Sequence, residues 1–248
     1  MAEMTSRERV DNILRRKPVD RIAVGESFWG ETINKWTEEG HLPKGADVTE
    51  FFGYDLEAGG WMNLVADLDF EDVVLEETDE TKLTRDGNGA IMRNWKHKSG
   101  TPEHVDFTVQ DRAGWEELIK PHLLDTSRIR ERVRVDEFRA DMQRAHDADR
   151  FYSWCGGNVF ECLHPVCGHE YMLMGMALDP DWVLDMANTY AELIITGFET
   201  LFAEAGKPDG MFFYEDMGFK EKPFMSPAMY KATIWPAHKR LFDFCHSH

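Results

Sequence analysis

The chain has 248 residues, with 28 Lys and Arg against 46 Asp and Glu, a formal net charge of −18 at pH 7 and 42% hydrophobic residues. That length and composition describe a globular chain able to bury a core, not a disordered or fibrous one. The acidic surface repels phosphate, which argues against nucleic acid or an anionic membrane as partner. No apolar run approaches the ~18 residues of a bilayer span, and the polar start is no signal peptide. Four cysteines without a leader then suggest reduced thiols in a cytoplasm.

In chain order, Thr5 or Ser6 caps a first helix with Glu8 in its first turn and Val10, Ile13 and Leu14 on its apolar stripe, ended by Pro18. The run Ile22-Ala23-Val24 predicts a buried strand, followed by polar and aromatic residues 25–29. Short helices are predicted over 31–39, ending at Gly40, and over Val48–Phe52, ending at Gly53. Residues 46–90 hold thirteen acids against Lys82 and Arg85, a charge run expected to be a solvated face. Within it, residues 73–75 and 81–84 read as strands, residues 86–89 (Asp-Gly-Asn-Gly) as a hairpin turn, and Ala90–Trp95 as the return strand. The segment 46–110 is thus expected to be a surface excursion with an acidic β-hairpin.

A charged helix is predicted over 127–146, then a strand at Phe151–Gly157, helices over 168–177 and 181–205, and a strand at Gly210–Tyr214. Ser226 and Pro227 start a last helix that runs to His248. Strands alternating with helices, each strand ending in polar residues, indicate parallel βαβ units.

In such a fold the reacting groups gather at the carboxyl ends of the strands. Those ends offer Glu26 and Trp29 after the first strand, Glu161 after the second, and Tyr214, Glu215 and Asp216 after the third. Neighbouring carboxylates repel, so one of Glu215 and Asp216 is expected to have a raised pKa or to hold a cation or a substrate N–H. Glu161, Glu215 and Asp216 are the catalytic candidates; Glu26, Trp29, Tyr214 and His164 are the substrate-binding ones. The octet from Cys162 to His169 carries two thiols and two imidazoles. Its spacing matches none of the usual zinc patterns and Pro165 limits wrapping, so no metal ligand is assigned to it. Met172, Met174 and Met176 read as core packing, and Cys245, His246 and His248 as a helix end. Phosphate loop, dinucleotide fingerprint and serine elbow are all missing from the sequence, which removes kinase, dehydrogenase and α/β-hydrolase readings.

The opening Thr5-Ser6-Arg7-Glu8-Arg9-Val10 and Lys17-Pro18-Val19-Asp20-Arg21-Ile22 resembles the entry segment of the uroporphyrinogen decarboxylase superfamily. The likeness continues through Phe51-Phe52-Gly53-Tyr54-Asp55, Gly157 with Phe160-Glu161, residues 209–218, Met225-Ser226-Pro227 and His246-Ser247-His248. The resemblance implies a TIM-type (β/α)8 barrel, here incomplete at the C-terminus, and a small-molecule enzyme. True decarboxylases of the family carry an arginine-rich grip after the first strand. Here residues 25–32 contain no arginine, which disfavours a polyanionic tetrapyrrole. The expectation is therefore a corrinoid-linked methyltransferase acting on a small methyl donor or thiol. Uroporphyrinogen decarboxylation and a catalytically inactive binding module are the alternatives. The family's zinc ligands, a His-x-Cys pair and a later Cys, would fall beyond this chain. A corrinoid protein is the expected partner, and an open barrel edge suggests a homodimer.

Overall fold

The computed structural model describes residues 3–98 and 100–248. They form a mixed α/β protein with strands β1 Leu56–Gly59, β2 Val73–Glu77, β3 Thr81–Arg85, β4 Ala90–Trp95, β5 Glu103–Phe107, β6 Phe151–Gly157, β7 Gly210–Tyr214 and a short pair, β8 Gly218–Phe219 and β9 Lys222–Pro223. One sheet has the order β1-β6-β7, with β1 and β6 parallel; a second, antiparallel, has the order β2-β3-β4-β5. No helix of the described residues is long and apolar enough to cross a membrane.

The expected (β/α)8 barrel is corrected by this topology. Among the described residues the sheet with parallel pairing has three strands, whereas barrel closure at this size takes about eight. The first expected barrel strand does not form either. Residues 22–24 carry no ladder, and Ile22 is 78% exposed. The reason is local: the Val24 N–H is taken by the Asp55 carboxylate at 2.8 Å, and the Val24 carbonyl accepts from Asp55 N at 2.8 Å. Those bonds anchor the segment at a single point, and the next strand, β1, pairs with β6 instead.

The chain divides into two compact units. The first comprises Met1–Trp61, Val135–Cys155 and Ala205–Phe212; the second comprises Met62–Arg134, Gly156–Glu204 and Phe213–His248. In the first unit, helix Ser6–Leu14 starts with a capping box in which Thr5 and Glu8 exchange side-chain and backbone bonds. It presents Arg9, 3% exposed, to Asp20 and Asp55. Phe28, Trp36, Phe52 and Tyr54 pack ring against ring at 4.9–5.9 Å, spending the aromatic content of this segment on a local core. Helix Val135–Asp147 is tied to β1 by Arg144, whose guanidinium donates to Glu57 at 2.6 and 3.0 Å.

In the second unit, the turn at 86–89 joins β3 to β4. Asp86 accepts from the Asn88 and Ala90 N–H groups, and Gly89 takes a φ of +79° that a side chain would disfavour. Strand β5 extends this meander beyond the three strands expected. The helix expected over 127–146 is broken: Val133 is extended and bridges Met62, so Ile129–Arg132 and Val135–Asp147 are separate helices. The last helix is also two, Pro227–Thr233 and Trp235–Ser247, because Pro236 has no N–H to give the Ala232 carbonyl. Helix Pro180–Ala205 buries Trp182, Met186, Tyr190, Ile194 and Phe198 along one face. Met172 and Met176 are buried as core packing predicts, while Met174 is half exposed.

Candidate functional site

The strand ends of the second unit converge on the start of helix Val159–Leu178. Asn158 caps this helix by accepting from Val159 N, and its own N–H donates to the Tyr214 carbonyl at 3.1 Å. That bond brings the residues after β6 beside those after β7. The helix start leaves free N–H groups and a partial positive charge, which suits a carboxylate. Glu215 occupies that place: Phe160 N donates to one oxygen at 2.9 Å and Glu161 N to the other at 2.7 Å. A ring nitrogen of His238 lies 2.6 Å from Glu215 Oε1, and its other nitrogen lies 2.9 Å from the Tyr230 hydroxyl. Because a carboxylate only accepts, His238 Nε2 donates to Glu215, while Nδ1 and the Tyr230 hydroxyl share the second bond. The Glu215 and His238 side chains are 9% and 3% exposed, and Tyr230 is half-buried.

Glu161 stands at the third helical position and is more open. Its Oε1 lies 2.9 Å from His164 Nε2, and its Oε2 accepts from Asp216 N at 3.3 Å. The bond to His164 holds its carboxyl below the ordinary value, against the opposing effect of burial. Glu161 is therefore an ionised base at neutral pH. Beside it Cys162 is buried, and burial pushes its thiol well up, with Glu215 and Glu161 adding to the shift. The thiol of Cys167 is pushed up to about 12 and that of Cys245 to about 11, in both cases by burial. All four cysteines are free.

Helix Val159–Leu178 is not continuous in its backbone. At Gly168 φ is +66° and ψ is 166°, so the chain turns there, and a Cβ would lie 2.4 Å from the Phe107 ring. The turn sets His169 against His164, stacked at 4.7 Å, and His104 on β5 completes the group at 5.9 Å from His164. One nitrogen from each of the three rings lies within 4.8 Å of the other two. Burial, then the neighbouring His164, holds both His104 and His169 below the ordinary imidazole value. Replacing Gly168 with Ala forces a side chain into a backbone region essentially reserved for glycine, at a cost of about 1–3 kcal/mol. The expected result is a lower unfolding midpoint in urea together with loss of the ring-current shifts that His164 and His169 impose on each other in NMR spectra. An unchanged pair of spectra would show that the kink does not set the cluster.

Among the expected site residues, the structure brings together Glu161, Glu215 and His164. Asp216 contributes its backbone N–H while its side chain is exposed, and Tyr214 contributes its carbonyl to the helix cap. The expected clash between Glu215 and Asp216 does not arise, since Glu215 finds three donors and Asp216 faces water. Glu26 and Trp29 belong to the first unit. Both are exposed; Glu26 accepts from Ser27 N, and Trp29 precedes helix Gly30–Glu38. His104, His169, Tyr230 and His238 were not among the expected site residues. They come from a strand, a helix kink and two later helices, and no short motif joins them.

No protein-family model, curated protein or solved structure matches the chain. Among the described residues the imidazole trio is the group close enough to share an ion.

Proposed function

We propose that the chain is an enzyme of the uroporphyrinogen decarboxylase kind, acting in corrinoid-linked methyl transfer on a small thiol or methyl donor in a cytoplasmic setting. The observation that carries the reading is the pairing of Glu161 with His164 beside the part-buried Glu215–His238–Tyr230 relay. An ionised carboxylate oriented by an imidazole, next to a rigid polar support, is the equipment of general acid–base catalysis. In this reading Glu161 accepts the proton of the incoming thiol, leaving the sulfur as the nucleophile. The proton rests on Glu161, the negative charge passes to the sulfur, the bond from His164 Nε2 keeps the carboxyl oriented, and Glu215 fixes the helix that carries them both. A corrinoid held by a partner protein supplies the methyl carrier. The absence of arginine from residues 25–32 supports a substrate without clustered carboxylates.

The test is turnover of methylcobalamin with a panel of small thiols, and of cobalamin with small methyl donors, followed by the visible spectrum of the corrinoid. Activity is expected in the wild type, and Glu161→Gln is expected to lower kcat/KM by about 10²–10⁴-fold. Coproporphyrinogen formed from uroporphyrinogen would replace the reading with decarboxylation. Binding of thiols without any turnover would reduce the chain to a binding module.

A further inference from the structure

We propose that His104, His164 and His169 form a binding site for a divalent transition-metal ion of the zinc or cobalt class, with Glu161 as the residue that positions His164. The site goes beyond methyl transfer and does not depend on it, because it stands on the geometry of these four side chains.

Two observations lead to it independently. The first is proximity: three imidazoles from two elements, a strand and a kinked helix, place one nitrogen each within 4.8 Å of the others. The second is an unpaired atom. His164 uses Nε2 toward Glu161 at 2.9 Å, whereas His164 Nδ1 is buried and has no hydrogen-bond partner. A buried polar atom left without a partner costs free energy. With Nε2 turned to the carboxylate, Nδ1 is the nitrogen left over for a metal ion, which imidazole binds through a ring nitrogen. A carboxylate behind a ligating histidine fixes its tautomer and raises its basicity, and Glu161 stands in that place.

The class of ion follows from the donors. Three imidazole nitrogens, with no carboxylate among the three, suit zinc, cobalt, nickel or copper and are poor partners for magnesium or calcium. A tetrahedral zinc with Zn–N of about 2.0–2.1 Å holds its nitrogens about 3.4 Å apart, so side-chain rotation of roughly an ångström closes the present set. Three protein ligands leave a coordination position for water or for a substrate atom, the pattern of a catalytic rather than a structural metal. Phe224 against His169 at 4.8 Å and Phe107 against His104 at 5.6 Å give the cluster apolar walls, which strengthen metal–ligand electrostatics by excluding water.

The experiment is titration of the chelator-treated full chain with Co²⁺ and with Zn²⁺, followed by calorimetry and by the visible absorption of bound Co²⁺. One equivalent is expected, with the intense visible bands of four- or five-coordinate Co²⁺. Glu161→Gln is expected to weaken binding by about 10–100-fold, and His104→Gln, His164→Gln and His169→Gln by more than that. His41→Ala, an exposed imidazole in the first unit, is expected to leave affinity unchanged. Because a cluster variant can fail to fold, the wild type provides a second readout: Zn²⁺ must shift the NMR ring signals of these three histidines and spare that of His41. A folded wild type that takes up neither ion, binding undiminished in His164→Gln, or ring shifts elsewhere would each overturn the site. Affinity unchanged in Glu161→Gln would remove its positioning role. Metal uptake without methyl transfer leaves this site standing while the functional reading falls, so the two failures are distinguishable.

Discussion

Replacing Asp55 with alanine is expected to lower the unfolding free energy by about 3–5 kcal/mol, the usual cost of removing one partner from a buried ion pair. Asp55 has no exposed side-chain surface, and it gathers five donors: Ser6 Oγ at 2.7 Å, Arg9 Nη1 at 2.7 Å, Arg21 Nη1 and Nη2 at 2.6 and 2.9 Å, and Val24 N at 2.8 Å. Without it the Val24 N–H and the Arg9 guanidinium lose a buried acceptor. Arg9 keeps Asp20, at 2.7 and 2.8 Å, which places the effect toward the lower end of that range. Urea denaturation at pH 7 measures it, and a loss below about 1 kcal/mol, the size of an exposed pair, would show that the hub is not a support of the first unit. The same carboxylate has a pH signature. Burial alone would raise its pKa, but Arg21, Ser6 and the Val24 N–H outweigh that and hold it at about 2. A depressed native pKa means that its stabilisation is complete above the unfolded value of about 3.9 and is lost as pH falls toward about 2. The wild type should therefore lose stability across that interval, and Asp55→Ala should lose less of it.

Glu215→Ala is the corresponding experiment in the second unit, with an expected loss of several kcal/mol, since each donor left without an acceptor costs about 1–3 kcal/mol. Three donors point at this one carboxylate, two of them N–H groups at a helix start and the third a buried histidine. Alanine leaves all three in place with nothing to accept them. Glu215→Gln is no rescue, because its amide nitrogen must face at least one N–H donor. Hydrogen exchange is the sharper readout: the Phe160 and Glu161 amides should exchange much faster in the variant, whereas the amides of helix Pro180–Ala205 should change only as global stability changes. Protection retained at Phe160 and Glu161 would mean that the helix start is held by Asn158 alone. Since Glu161 rides on this turn, the affinity of the imidazole cluster for Co²⁺ or Zn²⁺ proposed above should fall together with the protection.

Several local features were legible in the sequence because they depend on a few neighbouring residues. Thr5 and Ser226 cap helices, Gly53 and Gly89 end or turn the chain with positive φ, and residues 151–157 and 210–214 form strands that stop at polar groups. The candidate carboxylates were legible in the same way, since Glu161 and Glu215 follow those strands directly. The strand read at 22–24 failed because a distant side chain, Asp55, took the N–H that a ladder would need. Strand β1, Leu-Glu-Ala-Gly, is four residues long with alternating polarity too brief to register. The expected barrel failed for a related reason: alternation of strands and helices specifies parallel pairing between neighbours but not how many strands join one sheet.

Amino-acid order alone thus determined the acidic character, the absence of a membrane-length apolar run, the caps and turns, and which strand ends carry carboxylates. Only the tertiary structure decided the sheet order, the clamp that His238 and Tyr230 place on Glu215, and the meeting of His104 with His164 and His169 around the bend at Gly168. The reason is range: caps, turns and strand ends are set within a few residues of chain, whereas the imidazole cluster joins positions some 60 residues apart, and such proximity is created by packing and leaves no spacing to read.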